Sequence, residues 1–215
     1  MSDWGGYNSY NPMVPCGVTN SLGNKTGVVN YTYKKSDDTD GQTLSVPSYR
    51  GLENPFGHVW SWTDGCKCNV QSDAAGGLSE FFVCTDPAKF QDSDYTDYEK
   101  RGEIPRNEGY VKIMMIGEYG ENMPIEVGAS STTYFCDYYA RGIPSSGSVT
   151  RGVLFGGSAA SGAGAGFSCA ATHYAASHAF ADIVSRLCFY PLNDTTTERI
   201  NKEGLITAGF RISPN

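Results

Sequence analysis

Hydrophobic and polar positions alternate along much of this chain with the period of two that is typical of β-strands. The alternation is clearest where Val59 lies on one face and Trp60 and Trp62 lie on the other. Runs rich in β-branched and aromatic residues predict further strands at residues 28–33, 67–71, 80–84, 132–140 and 205–212. The apolar run at residues 110–117 is too short to distinguish strand from helix. Turn-forming residues separate these runs, so the pattern predicts a loop-rich β or α+β protein.

The alternation stops between residues 151 and 189. This segment begins and ends with strand-like runs, and the residues between them are almost all Gly, Ala and Ser. The larger side chains among them are Phe167, Cys169, His173, Tyr174, His178, Phe180 and Asp182. No amphipathic period persists long enough to predict a helix. We interpret the segment as a surface held between two core strands, and a tightly packed Gly/Ala loop is the alternative.

Differences in composition along the chain predict three parts, an N-terminal arm, a main domain that contains the small-residue segment, and a C-terminal tail. Residues 1–46 are polar and rich in turns, which predicts an N-terminal arm or extension. Residues 47–190 are expected to form the main domain, and residues 191–215 a tail with one strand. The aspartates near residue 40 lack the alternating ligands and the final Glu of a calcium loop, so we interpret them as a solvated turn.

Charge and composition narrow the class of partner. The net charge is −7 and only 18% of residues are charged, which argues against binding to nucleic acid. Residues 127–197 carry three Asp and three Arg, so this region is neutral and suits contact with protein or carbohydrate. No apolar run is long enough for membrane insertion, and the N-terminus lacks a signal-peptide pattern. We therefore expect a piece of a longer exported protein or a component of an assembled particle.

Candidate catalytic and metal-binding motifs are weak. The seven cysteines fit no zinc spacing, and neither a G-x-G-x-x-G nor a G-x-S-x-G motif occurs. Cys169 and His173 are four residues apart and could face each other on a helix as nucleophile and base. The small residues around them supply no charge to activate the thiol. We predict no enzyme activity, no cofactor and no metal.

Several short motifs resemble a known family in the correct order. Residues 57–62 (GHVWSW) resemble the G-N-V-W-E-W motif of the formylglycine-generating-enzyme, or sulfatase-modifying-factor, branch of the C-type lectin fold. Residues 156–158, 169–171 and 185–188 resemble its R-G-G-S, C-A-A-R and G-F-R-C motifs. The resemblance implies an α+β, C-type lectin-like fold, loop-rich with antiparallel strands and few short helices. The oxidase members carry two copper-binding cysteines where residues 158–168 have none, so their activity is not implied.

The stretches VPSYRGLENPFGHVWSWTDG, STTYFCDYY, RGVLFGG and SRLCF are similar to variable proteins of diversity-generating retroelements. These proteins are phage receptor-binding proteins and bacterial surface or pilus adhesins, in which reverse transcription mutates adenines in a C-terminal tract. Such mutation does not produce Lys, Glu, Gln, Met or Trp, and residues 153–185 contain none of them. The same exclusion extends over residues 127–197, a range wider than the tract itself.

The resemblance implies a receptor-binding adhesin domain whose variable tract contacts a cell-surface protein or glycan. The predicted contact residues are Ser158, Ser161, Phe167, Ser168, Thr172, His173, Tyr174, Ser177, His178, Phe180 and Asp182. The predicted core anchors are Trp60, Trp62, Phe155, Leu187 and Phe189. The expected location is a virion surface, such as a phage tail fibre, or a bacterial cell surface, as a homo-oligomer or as part of a fibre or pilus. The alternatives are a structural virion or pilus component and, as a distant third, a formylglycine-generating-type oxidase.

Overall fold

The chain folds mainly into β-strands joined by loops. The computed structural model describes residues 14–33, 41–180 and 182–185, together with the backbone of two short segments, 206–207 and 210–211. The predicted anchors Leu187 and Phe189 therefore lie outside the described residues. The strands are β1 (Gly27–Tyr33), β2 (Gln42–Tyr49), β3 (Leu52–Glu53), β4 (Trp60–Gln71), β5 (Ser79–Val83), β6 (Glu99–Glu103), β7 (Gly109–Ile116), β8 (Asn122–Val127), β9 (Tyr138–Ala140), β10 (Ser148–Phe155), β11 (Ala170–Ala171), β12 (Ile183–Val184), β13 (Ile206–Thr207) and β14 (Phe210–Arg211).

Helical structure in the described ranges is limited to short 3₁₀ turns. These are Asn20–Leu22, Asp73–Ala75, Pro87–Lys89 and Ala159–Gly164. The predicted loop-rich chain of antiparallel strands with few short helices is confirmed, whereas the described residues are mostly β and not the α+β mixture that was predicted. Residues 110–117, which the sequence left undecided, form strand β7 as far as Ile116.

A nine-stranded sheet forms the centre of the molecule. Its order is β6-β5-β4-β10-β11-β9-β7-β8, and β12 pairs with the first residues of β4. Most pairs are antiparallel, whereas β11 with β9 and β12 with β4 are parallel. The long strands β4 and β10 pair across an irregularity between Gly152 and Val153, where β4 carries extra residues. The two strands that flank the small-residue segment thus belong to the middle of the sheet.

Three predicted elements differ from the structure. The predicted strand at 205–212 is two strands, β13 and β14, paired antiparallel. Only Tyr138–Ala140 of the predicted strand at 132–140 is extended, and the residues before it form a loop. The arm's strand, β1, pairs with β2 and through it with β3, so the boundary placed after residue 46 falls inside β2.

The hydrophobic core lies on one face of the central sheet. It includes Cys66, Cys68 and Val70 of β4, together with Phe81 and Tyr139. Phe155 is buried, as predicted for a core anchor.

The prediction that Trp60 and Trp62 anchor the core is wrong, because both are only half-buried while Ser61 and Thr63 between and beside them are buried. The Trp62 ring lies instead over Gly152, where an added Cβ would stand 2.5 Å from the ring. The predicted alternation is present, but the more deeply buried face of the strand is that of Val59, Ser61 and Thr63 and not that of the two tryptophans.

Residues 172–182, described except at position 181, connect β11 to β12 and are called the crossing segment below. Because β11 pairs with β10 and β12 pairs with β4, this segment must cross both central strands. Backbone bonds hold it at both ends. Thr172 N donates to Ala140 O (3.0 Å), Gly152 N donates to Tyr174 O (2.9 Å), and Trp60 N donates to Asp182 O (2.7 Å).

Candidate functional site

The crossing segment brings four predicted contact residues together in one ring cluster. Tyr174 stacks on His178 with 4.2 Å between centroids and an interplanar angle of 7°. His173 lies against the same tyrosine at 3.9 Å, and Phe180 meets His178 edge-on at 4.4 Å. The aromatic cluster, defined as His173, Tyr174, His178 and Phe180, therefore forms a continuous set of ring contacts. Such contacts favour one arrangement of these side chains over many.

The aromatic cluster is open to solvent. Phe180 is 51% exposed. The other three members are half-buried, so each keeps part of its ring at the surface. A packing role alone would have sealed Tyr174 and Phe180 from water, which is not what the structure has. The cluster is thus ordered by its own contacts and still accessible to another molecule.

The imidazole of His173 lies in an environment that disfavours positive charge. His173 Nδ1 and His178 Nε2 are buried and have no hydrogen-bond partner among the described residues. Burial lowers the pKa of His173, the Arg151 guanidinium and His178 lower it further, and Glu108 opposes them. The His173 side chain is therefore mainly neutral at pH 7. A neutral ring surface suits apolar contact better than recognition of an anion.

Phe167 lies in a separate place from the aromatic cluster. Its ring meets Phe155 edge-on at 6.3 Å and is 52% exposed. The next residue, Ser168, donates its backbone N–H to Asp137 Oδ2 at 2.7 Å, which fixes this loop against the segment before β9. Phe167 is thus a second exposed aromatic side chain on a held backbone.

Three of the predicted contact residues are buried, so the prediction that they contact a ligand is wrong. Ser158, Ser168 and Thr172 have almost no exposed surface, so their side chains are not available to a ligand. Thr172 shares a 2.8 Å hydrogen bond with the Tyr139 hydroxyl inside the protein. Ser158 N donates to Ser161 Oγ at 3.0 Å at the start of a 3₁₀ turn. These residues shape the segment and do not form its surface.

The remaining predicted contact residues keep some exposure. Ser177 is exposed, and Ser161 and Asp182 are half-buried. The backbone carbonyl of Asp182 accepts the hydrogen bond from Trp60 described above, so this residue fixes the end of the crossing segment. Ser177 and Ser161 are small, and the area available for contact therefore comes mainly from the rings.

The cysteine chemistry considered from the sequence does not fit this environment. Cys169 is buried, and this burial raises the pKa of its thiol to about 12, with the Asp137 carboxylate acting in the same direction. The thiol therefore stays protonated at neutral pH and is not an activated nucleophile. The six cysteines in the described ranges are present as thiols. No group of three or more metal-ligating side chains is found in this part of the chain.

No family model, curated protein or solved structure matches this chain. Within the described residues, no helix has the length and apolar character needed to span a bilayer. What the protein can do must therefore be read from its own surface.

Two exposed aromatic residues near the site were missed from the sequence. Tyr134 is 70% exposed and Phe135 is 45% exposed, in the loop before β9. The run of aromatic residues there has the composition of a strand, which is why a strand was predicted. Positive φ angles at Tyr134 (57°) and Cys136 (61°) break the extended chain instead. These residues are not glycine, so no local sequence signal marks the turn.

Proposed function

We propose that this chain is a ligand-binding adhesin domain that attaches to a protein or glycan on a cell or partner surface. The proposal includes a C-type lectin-like fold of the formylglycine-generating-enzyme type and membership of the variable proteins of diversity-generating retroelements. It rests on the motifs at residues 57–62, 156–158 and 169–171 and on a mostly β, loop-rich architecture. The aromatic cluster on the crossing segment is the observation that carries it.

The geometry of the crossing segment suits a binding surface that changes in sequence. Its ends are fixed by backbone hydrogen bonds to Ala140 and Trp60, which do not depend on side-chain identity. The side chains of Tyr174, His178 and Phe180, which are exposed or half-buried, can therefore be replaced without removing the backbone bonds that position the segment. Aromatic side chains bury a large area with few rotatable bonds, which makes them effective anchors of an interface.

Display in several copies would suit this kind of site. A single patch of this size supports modest affinity, and several linked copies convert later contacts into intramolecular ones. We propose a virion surface or a bacterial cell surface as the location. Of these two locations the six described thiols favour the virion, because a particle assembled in a reducing compartment keeps its thiols, whereas chains exported singly into an oxidising compartment commonly form disulfides.

Replacing Tyr174, His178 and Phe180 together with alanine tests the proposal. We expect binding of the labelled protein to a panel of intact bacterial cells to fall at least about 30-fold, because loss of an interface anchor costs about 2 kcal/mol or more. The matched control is Tyr49→Ala, which removes an exposed tyrosine on β2, a strand of the separate three-stranded sheet β1-β2-β3. Unchanged binding of the triple variant, with thermal unfolding equal to that of the unsubstituted chain, would contradict the proposal.

A genetic observation tests the family assignment separately. Variable proteins of this class are encoded beside a reverse transcriptase and a near-repeat of the 3′ coding end. We expect codon differences among independent isolates to fall at adenines within residues 153–185. Differences spread evenly over the chain would favour the alternative of a structural virion or pilus component.

A further inference from the structure

Six strands of the central sheet run in one direction, and an exposed aromatic residue precedes four of them, β4, β9, β11 and β12. β4 and β11 are both antiparallel to β10, and β12 and β9 are parallel to β4 and β11 respectively. The starts of β4, β9, β11 and β12 therefore meet at the same end of the sheet. The residues in front of them include Phe56, Phe135, Phe167 and Phe180, each three or four positions before its strand.

These side chains, together with Tyr134, form a row that we call the aromatic rim. All five are exposed. In the order β12-β4-β10-β11-β9, neighbouring strands are about 4.8 Å apart, so the rim spans roughly 19 Å. A standard protein interface covers about 800 Å² of each partner, so the rim would form part of one. Only Phe167 and Phe180 of the rim belong to the segment that the sequence singled out.

The loop at residues 130–137 holds its part of the rim in a strained backbone. Tyr134 and Cys136 adopt φ angles of 57° and 61°, on either side of the exposed Phe135. A non-glycine residue in this region is strained and persists only where surrounding contacts enforce its conformation. Strain of this kind at an exposed tip is typical of surfaces that are prepared for contact.

The contacts that enforce this backbone are present at both ends of the loop. Asp137 accepts from Val111 N (2.8 Å) through its carbonyl and from Ser168 N (2.7 Å) through its carboxylate. Within the loop, Cys136 N donates to Thr133 O at 3.2 Å, and Ser130 N donates to Thr133 Oγ1 at 3.0 Å. The loop is therefore attached both to β7 and to the loop that carries Phe167. Its aromatic tip is arranged before any partner arrives, which lowers the entropy cost of binding.

The polar groups beside the rim favour a protein partner over a glycan. Recognition of a sugar ring needs hydrogen-bonding side chains next to the aromatic platform. The nearby hydroxyl of Ser130 is already engaged with those of Thr132 (3.3 Å) and Thr133 (3.0 Å). The carboxylate of Asp137 is half-buried, and burial raises its pKa while the bond from Ser168 opposes the change. The five side chains of the rim carry a single polar atom, the hydroxyl of Tyr134, so the rim itself is mainly apolar.

We infer that the recognition surface includes the whole aromatic rim, with Tyr134 and Phe135 as a fixed anchor for a neutral, apolar patch on a partner protein. This inference rests on the proposed function, because it concerns the same partner. It adds residues outside 153–185 to the contact surface and assigns the partner to proteins. The varied segment would then adjust specificity beside an anchor that does not vary.

The test compares rim variants in binding to intact cells of a bacterial strain that the unsubstituted protein binds. We expect the double variant Tyr134→Ala/Phe135→Ala to bind at least tenfold more weakly. Adding Phe56→Ala to this double variant should weaken binding further. Leu78→Ala is the matched control, because Leu78 is exposed next to the start of β5, at the opposite end of β4. Tyr134→Phe keeps the ring and should keep binding. Thermal unfolding of each variant verifies that the fold persists.

Treating the same cells before binding separates the partner classes. We expect protease treatment to remove binding and periodate oxidation of surface sugars to leave it intact. Loss after periodate alone would overturn the assignment to a protein partner and leave the proposed function standing. The Tyr134/Phe135 variants could also stay folded and bind normally while the triple variant of the crossing segment loses binding. That result would overturn the inference that the rim takes part in recognition and would leave the proposed function standing. Failure of the unsubstituted protein to bind any strain would contradict both.

Discussion

At the scale of single residues, buried polar side chains decide how the small-residue segment is held. Tyr139 and Thr172 are both fully buried, and their hydroxyls share a hydrogen bond of 2.8 Å. This bond joins β9 to the first residue of the crossing segment. A buried hydroxyl that loses its partner retains the cost of leaving water, whereas removing both hydroxyls removes that cost.

We therefore expect Tyr139→Phe to lower the free energy of unfolding by about 1–3 kcal/mol. Thr172→Val should have a similar effect, and the double variant should be less destabilised than the sum of the two. Urea denaturation of the four proteins measures the coupling between the residues. Strict additivity would show that the bond does not contribute.

His173 makes the stability of the protein depend on pH. Burial, followed by Arg151 and His178, lowers its pKa below the ordinary value of 6.5. The unfolded chain therefore binds a proton at this histidine more readily than the native protein does. The contribution of neutral His173 to the free energy of unfolding is fully present above about pH 6.5 and declines as the pH falls below that value. The charges that face the imidazole are Arg151 and Glu108, in addition to His178.

We expect the His173 imidazole to titrate below pH 6.5 when followed by nuclear magnetic resonance. We also expect His173→Gln to reduce the loss of stability between pH 7.5 and 5.5, measured by urea denaturation. Carboxylates elsewhere contribute equally to both proteins and cancel in the comparison. Titration of His173 above pH 6.5 would contradict the arrangement of charges described here.

Residue identity alone predicted part of this site. Aromatic and imidazole side chains in a neutral Gly/Ala/Ser background indicated His173, Tyr174, His178 and Phe180, and the structure brings them together. Serine and threonine gave no such signal, because their small side chains occur as readily in buried turns as on surfaces. Ser158, Ser168 and Thr172 were therefore placed on the wrong side of the backbone.

At the scale of elements, one arginine connects the edge strand β6 to the β7–β8 turn. Arg101 Nε bonds Glu121 Oε1 at 2.6 Å, and its Nη1 reaches Glu99 (2.9 Å) and Glu118 (3.1 Å). Glu121 is buried, and besides Arg101 it accepts a bond from Tyr119 N at 3.0 Å. Removal of the arginine would leave a buried carboxylate without its counter-ion.

We expect Arg101→Met to cost about 3 kcal/mol of stability, because an uncompensated buried charge is strongly destabilising. The matched comparison is Lys112→Met, which breaks the more exposed pair with Glu126 on β7 and β8 and should cost about 1 kcal/mol or less. Urea denaturation of the two variants measures both values. Equal costs would show that burial of Glu121 is not the cause.

Strand positions could be predicted where the period of two was long, as in β4, but the loop before β9 could not. There the aromatic run of residues 132–140 matched a strand, and non-local bonds from Val111 and Ser168 to Asp137 overrode that preference. Local propensity is a weak guide when distant residues fix the backbone.

At the scale of the whole molecule, the fold protects four of the six thiols in the described residues. Cys66, Cys68, Cys84 and Cys169 are buried, whereas Cys16 is exposed and Cys136 is half-buried. Burial raises the pKa of the Cys68 and Cys169 thiols, which further suppresses the reactive thiolate.

We expect maleimide to label Cys16 and Cys136 in the native protein and the four buried thiols only after unfolding. Peptide mapping by mass spectrometry identifies the labelled positions, and labelling in denaturant is the control. Rapid native labelling of Cys68 or Cys169 would contradict the packing of the central sheet.

The order of strands in the central sheet could not be predicted from the sequence. Pairing of β10 with β4 joins residues about eighty positions apart, and no pattern within either strand identifies its neighbour. The family resemblance implied a fold of this general kind, and the specific type remains a proposal. The grouping of four aromatic residues at one end depends on strand direction, which only the assembled sheet reveals.

The two fixed ends of the crossing segment have a consequence for how this protein can evolve. Thr172 is hydrogen-bonded to Ala140 and Asp182 to Trp60, and these two bonds fix the ends of the crossing segment. The number of residues from 172 to 182 is therefore determined by the distance between the two bonds. Replacing one amino acid by another leaves that count intact, whereas adding or deleting a single position would shift every later ring away from its neighbour. Point mutation is thus the tolerated source of novelty here, and insertions and deletions are expected to be eliminated.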